Sequence, residues 1–229
     1  MTLPSFDPAA YPGPRPDGPV LVRWGRIEPI DPDGLDAFVA YRFSVAYGSN
    51  ASPARLVQKG LDRDGALLLP AVLRDHVAGY EQRRTGYGSV PLTLLPQPGA
   101  TMVTWVLGVP AAATDLLDRT EGRVAGPAPT AVGVEEAGGR FAAPGTYRLG
   151  HVGPVTVADR WCLADGIAYL PGSGTRVQLD PDGGWRTWPA IDQAAAARHV
   201  ESGGPARAAP PPADVVDGPW PTTPLRRLP

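Results

Sequence analysis

The chain has 229 residues, 21 Lys and Arg against 23 Asp and Glu, a formal net charge of −2 and 43% hydrophobic residues. That length and apolar content suit one domain with a real core, while the balanced charge and a pI near 5.9 exclude the basic surface that a nucleic-acid partner needs. No apolar run approaches a membrane span, no apolar stretch follows a basic start, and the single cysteine, Cys162, cannot form an intramolecular disulfide, so a soluble cytoplasmic protein is expected.

Six prolines crowd the first 20 residues and eight the last 25, and residues 1–38 and 193–229 therefore read as extended or flexible arms around a domain at 39–192. The first arm can carry an added strand, because Val20, Val22 and Trp24 alternate with Leu21 and Arg23. Phe43, Val45 and Tyr47 alternate in the same way until Gly48, which predicts a strand feeding a tight loop. Ser52 and Pro53 then supply an N-cap and first turn for a short helix through Leu56. Gly86-Tyr87-Gly88-Ser89-Val90 repeats the Tyr-Gly-Ser trio of residues 47–49, but its flanks make it a plain loop.

Met102–Val109 is apolar on both faces and predicts a covered strand. Pro110 opens a helical segment with Leu116, Leu117 and Thr120 towards the core and Gly122 just past its end. Val152–Val157 and Gly166–Leu170 are further strand candidates. Strands and helices in this irregular order fit an α+β fold better than a doubly wound sheet. Trp220 is placed to tether the tail.

Two short segments carry the chemistry. In Tyr47-Gly48-Ser49-Asn50 the glycine allows close backbone approach, and successive amides of such a turn form a concavity for a carboxylate or oxyanion. Glu121 ends the helix that follows the covered strand, where the negative end of the helix dipole disfavours its anion. His76 and His151 are isolated and read as structural or solvated, Cys162 as a buried apolar residue, and Gly172-Ser173-Gly174-Thr175 as a turn without a P-loop lysine. No Cys/His set has metal-ligand spacing, so no metal is expected. Of the 21 basic residues one, Lys59, is lysine, a skew that reads as genome composition.

Together, the Tyr47–Asn50 loop after an apolar strand, Arg55-Leu56 behind it and Leu117-Asp118 with Glu121-Gly122 after a second strand resemble the γ-glutamylcyclotransferase family. Gly79-Tyr80 and the Pro98-Gly99 turn are similar to that family's middle section, and the resemblance runs over residues 39–125 and more weakly towards 170. It implies a small mixed β-barrel with packed helices and a substrate loop of Tyr47, Gly48, Ser49 and Asn50. It also implies Glu121 as acid–base, Tyr169 in the pocket, and no metal or organic cofactor. The implied substrate is a γ-glutamyl amine or amino acid, whose α-amine attacks its own γ-carbonyl to release 5-oxoproline. The chain would then be a cyclising acyltransferase or lyase, which includes removal of a γ-glutamyl protecting group from a secondary metabolite. Two positions depart from the pattern: Ala51 replaces a larger apolar residue, and Arg123-Val124-Ala125-Gly126 lacks a tyrosine, the next being Tyr147. The alternative expectation is a non-catalytic module that keeps the pocket, binds a small carboxylate or amine, and recruits partners through its proline-rich arms.

Overall fold

The computed structural model describes residue 3 and residues 5–123, 147–212 and 214–229, which form eleven strands and three short α-helices. The strands are β1 (Val20–Arg23), β2 (Arg26–Pro29), β3 (Tyr41–Ala46), β4 (Ala66–Tyr80), β5 (Leu92–Pro110) and β6 (Tyr147–Val157). They continue with β7 (Trp161–Pro171), β8 (Arg176–Gln178), β9 (Thr187–Trp188), β10 (Ala206–Ala208) and β11 (Leu225–Arg227). The helices are α1 (Pro53–Gln58), α2 (Thr114–Thr120) and α3 (Gln193–Glu201).

β3, β5, β4, β6 and β7 pair in that order, and β7 returns to β3 through the parallel pair Val45↔Ala168. The sheet therefore closes on itself as a mixed five-stranded barrel, and the fold is α+β as expected. The β1–β2 hairpin and β9 extend from β4, β11 lies along β7, and β8 and β10 form a separate small sheet. The β1–β2 turn corrects one expectation. Trp24 does not continue the strand but sits with Gly25 at positive φ (48° and 69°), the two-residue hairpin geometry that matches strand twist.

Side chains alternate along β4 with period two and so serve two cores. Leu67, Leu69, Ala71 and Leu73 join Phe43, Val45, Val106, Val155 and Leu163 inside the barrel. Ala66 and Leu68 face outwards, against a second cluster that holds Leu56 of α1, Leu117 of α2, Leu107 and Val109. This outer cluster positions the site, because it seats the ends of α1 and α2 on the same barrel face. The Pro98-Gly99 turn falls in a bulge of β5 opposite Arg74 and His76, where Gly99 (φ 80°) donates its N–H to Asp75 Oδ1 at 2.7 Å.

Described residues of both proline-rich segments pack against the barrel. Phe6 and Tyr11 are buried in the inner core, and the Arg15 guanidinium lies between the Trp105 and Trp188 rings, 4.9 and 5.0 Å from their centroids. Proline has no backbone donor to satisfy, so such a segment can cross the surface without ladder bonds while its aromatic residues fill gaps. Each aromatic buried contributes about 1.5–3 kcal/mol against the entropy of ordering the segment. At the other end α3, β10, β11 and a buried Trp220 tie the tail down, the last as expected. Cys162, on β7 beside β11, is half-buried rather than enclosed.

Candidate functional site

A cavity of about 300 Å³ opens at the end of β3. It is lined by every residue the sequence singled out: Tyr47, Gly48, Ser49, Asn50, Glu121 and Tyr169. Lys59, Arg55, Tyr11, Tyr147 and the stretch Thr85–Tyr87 join them in the wall.

The loop leaves β3 at Gly48 and coils into a 3-10 turn, Ser49–Ala51, which runs into α1 at Ser52. The amides of Ser49 and Asn50, at the head of that turn, have no acceptor within it. Gly48 sits at a close approach, since a Cβ there would lie 3.0 Å from the Tyr11 hydroxyl. Tyr47 spends its hydroxyl on the fold, donating to the Tyr169 carbonyl across the barrel seam, and its own carbonyl accepts from Arg15 Nη2 at 3.2 Å. Ser52 caps α1 through its backbone alone, its buried hydroxyl having no partner.

α2 ends as the sequence predicts, with Leu117 and Thr120 buried, although a short 3-10 turn, Ala111–Ala113, comes between Pro110 and the helix. Gly122 takes φ 67°, its N–H donates to Arg119 O (3.2 Å), and Arg123 N–H donates to Asp118 O (2.9 Å). Those two bonds form a Schellman cap that fixes Glu121 at the last helical turn. Asp118 reinforces it from inside: Oδ1 accepts from the Tyr169 hydroxyl (2.8 Å) and Trp220 Nε1 (3.0 Å), and Oδ2 pairs with Arg123 Nη1 (2.6 Å). Tyr169 thus lines the cavity with its hydroxyl already committed.

At the centre is a triangle that the sequence reading missed. Lys59, at the end of α1 and 3% exposed, donates from Nζ to Glu121 Oε1 and to Asn50 Oδ1 (2.6 Å). Asn50 Nδ2 closes the triangle on the same Glu121 oxygen at 3.2 Å. Burial pushes the Lys59 ammonium down from 10.5 to about 8, with Glu121 pulling the other way. A helix end disfavours an anion by about 0.3–1 kcal/mol. A unit charge pair at 4 Å is worth about 4 kcal/mol at an effective dielectric of 20. The ammonium therefore outweighs the dipole on which the sequence expectation rested. The available signal was the lone lysine itself, nine residues behind the loop asparagine.

Two further corrections concern the walls. The loop around Gly86–Val90 is part of the cavity, with the Tyr87 ring 4.7 Å from the Arg55 guanidinium carbon and the Ser89 hydroxyl donating to Pro8 O at 3.0 Å. Tyr147, on β6, also reaches the cavity; its hydroxyl donates to the buried Glu81 (3.1 Å), whose other oxygen pairs with Arg83 Nε (2.6 Å). Burial raises Glu81 above the usual carboxylate range and holds Tyr11, Tyr47, Tyr147 and Tyr169 well above an ordinary phenol, so all four hydroxyls stay protonated. Residues Val124, Ala125 and Gly126 lie outside the described residues. His76 is half-buried, its Nδ1 2.9 Å from the Arg74 carbonyl oxygen, and Gly172–Thr175 forms a turn. Among the described residues no group of three or more His, Cys, Asp or Glu is placed to hold a metal ion, and no helix is long and apolar enough to cross a membrane.

The chain is similar to a solved γ-glutamyl cyclotransferase structure. The identity is 18% and the TM-score 0.41, over 62% of this chain and 73% of that one. An uncharacterised protein from Homo sapiens is similar at 14% identity and a TM-score of 0.38, over 63% and 74% of the two chains. YkqA from Bacillus subtilis is similar at 20% identity and a TM-score of 0.40, over 75% of this chain and 50% of its own. No family model matches the chain, and no curated protein does. At this level of likeness no residue role transfers.

Proposed function

We propose that the chain cyclises the γ-glutamyl group of a γ-glutamyl amine or amino acid to 5-oxoproline, with release of the amine. The observation that carries this reading is the triangle of Glu121, Lys59 and Asn50, set in a cavity whose other wall is the Tyr47–Asn50 loop. The substrate's nucleophile and electrophile are already tethered, so the protein has to hold a folded conformer and pass protons from the attacking to the leaving nitrogen. Glu121 takes a proton from the α-ammonium, the freed amine attacks the γ-carbonyl carbon, and the amides of Ser49 and Asn50 face the developing oxyanion. Collapse of that intermediate breaks the C–N bond as Glu121 returns the proton to the leaving nitrogen, and the second proton of the attacking nitrogen passes to the released amine, leaving the neutral lactam and an ammonium. Taking a proton from an α-amine with a pKa near 8 onto an ordinary carboxylate costs about 5 kcal/mol. Positioning therefore matters as much as basicity, and Lys59 and Asn50 supply it by fixing Oε1 from two sides. No step requires a metal or organic cofactor.

The test is 5-oxoproline release from a panel of γ-glutamyl compounds by wild type and Glu121→Gln. A general acid–base of this kind contributes about 10²–10⁴-fold, so the variant should lose at least 100-fold with its fold intact. Equal rates would remove the mechanism. One observation favours a second reading, a non-catalytic small-molecule-binding module: the Glu121 carboxylate is already paired. Calorimetric binding of a γ-glutamyl compound by wild type, without any turnover, would select it.

A further inference from the structure

Tyr11, Tyr47, Tyr147 and Tyr169 all wall the cavity, and three of them have spent their hydroxyl protons on the fold. Tyr47 donates to the Tyr169 carbonyl, Tyr147 to Glu81 and Tyr169 to Asp118. Tyr11 has not. Its oxygen accepts from the Leu92 N–H at 3.1 Å, while its own O–H meets no acceptor among the described residues. Burial holds this phenol above its ordinary range, so the proton stays in place as a donor. The hydroxyl oxygen stands 3.0 Å from where a Cβ on Gly48 would lie, and both of its neighbours, Gly48 and Leu92, are themselves cavity wall. A buried donor left unmade is unfavourable, and a ligand atom in the cavity can complete it.

We infer that Tyr11 is a further catalytic residue, whose hydroxyl donates to the γ-carbonyl oxygen as that atom becomes an oxyanion. The inference rests on the cyclisation reading above. The turn that holds the substrate has two ends: Asn50 bonds Glu121 Oε1 at one, and Gly48 meets Tyr11 at the other. The acid–base therefore works on the nitrogens from one end while Tyr11 addresses the oxygen from the other. The Ser49 amide follows Gly48 directly, and bond lengths put its nitrogen within about 6 Å of the Tyr11 hydroxyl. Two donors each about 2.9 Å from one shared oxygen stand up to about 6 Å apart, so hydroxyl and amide can converge on a single oxyanion. A phenol that already accepts from Leu92 is also the stronger donor for it. The proton stays on the tyrosine throughout, and no bond to it breaks. The donor is positioned before substrate arrives, because its segment is held by Ser89 Oγ on Pro8 O at 3.0 Å and by Arg15 Nη2 on Tyr47 O at 3.2 Å. The chain's proline-rich start thereby supplies a reacting group that the barrel itself lacks.

The test compares wild type with Tyr11→Phe, which keeps the ring and removes the donor, on γ-glutamyl-alanine and its γ-thioamide. Loss of one oxyanion donor costs about 10²–10³-fold in kcat, so with two amides remaining the variant should lose at least about tenfold in kcat on the amide, with KM moving less than about threefold. Sulfur accepts hydrogen bonds weakly, so the amide-to-thioamide rate ratio should also shrink, by at least about fivefold. That ratio is insensitive to a lowered active fraction. Phe6→Leu loosens the same segment and should lower the melting temperature while keeping the ratio. A ratio untouched by Tyr11→Phe, or lowered equally by Phe6→Leu, would overturn the inference and leave the hydroxyl a structural partner of Leu92. If wild type does not turn over γ-glutamyl-alanine, the cyclisation reading fails for that compound separately, and calorimetry with 5-oxoproline, whose lactam oxygen is the former γ-carbonyl oxygen, decides this one. Tighter binding by wild type than by Tyr11→Phe upholds it, and equal or absent binding overturns it.

Discussion

Replacing Glu121 by Gln should cost stability in a manner that depends on pH, with a size set by Lys59. Without the carboxylate the buried ammonium loses its partner, and the loss at fixed charge would approach the 4 kcal/mol or so of a close pair. The lysine has a cheaper route, which is to shed its proton. From a wild-type value of about 8, neutralising it takes on the order of 1 kcal/mol at pH 7 and roughly twice that at pH 6. At pH 9 the wild-type lysine is already neutral and the difference should vanish. In the variant the folded lysine is neutral while the unfolded one keeps its proton up to 10.5, so folding releases a proton and stability rises with pH. In wild type this group gives no such slope below about pH 8. Urea melts of both proteins at pH 6, 7 and 9 measure the effect. For a chain of this size the pH 7 difference corresponds to roughly 3–6 °C in Tm. A difference equal at all three pH values would show that Lys59 and Glu121 are not coupled.

Turnover should report the same lysine. Wild-type kcat/KM is expected to fall as pH rises through about 8, where the ammonium that orients Glu121 is lost, and Lys59→Arg should move that fall to higher pH, because a guanidinium keeps its charge. Initial rates of 5-oxoproline release check this, and an unmoved limb would separate Lys59 from catalysis. Gly48→Ala should destabilise by about 1–2 kcal/mol, since its Cβ meets the Tyr11 hydroxyl. Adding Tyr11→Phe should relieve most of that, and simple additivity in thermal melts would deny the contact.

The parts of the site that were legible in the sequence are those whose signals are local. Tyr47–Asn50 follows its strand directly, and Glu121-Gly122 carries its own helix-stop signal, so both could be placed without knowing what lay opposite. Lys59 could not, because its function comes from α1 and α2 sharing one barrel face, which no window of sequence contains. Phe6, Tyr11 and Tyr87 failed for a related reason. Each sits among prolines or glycines, where composition suggests solvent, and only packing against Arg55, Gly48 and Leu92 makes Tyr11 and Tyr87 walls and sets Phe6 behind one. β4 went unread although it is the spine of the barrel, since its unbroken leucines and Pro70 lack the alternation that marks a half-buried strand.

The seam between β3 and β7 sets an order of assembly during synthesis. The Tyr47 hydroxyl rests on a carbonyl 122 positions later, beside the one parallel pairing that shuts the barrel. A ribosome adding 5–20 amino acids per second needs on the order of 6–25 s between the two. Throughout that interval the nascent loop has its letters but not its anchor. A chain stopped before Trp161 would carry Lys59, Asn50 and Glu121 but lack Tyr169 and the strand that closes the barrel behind them.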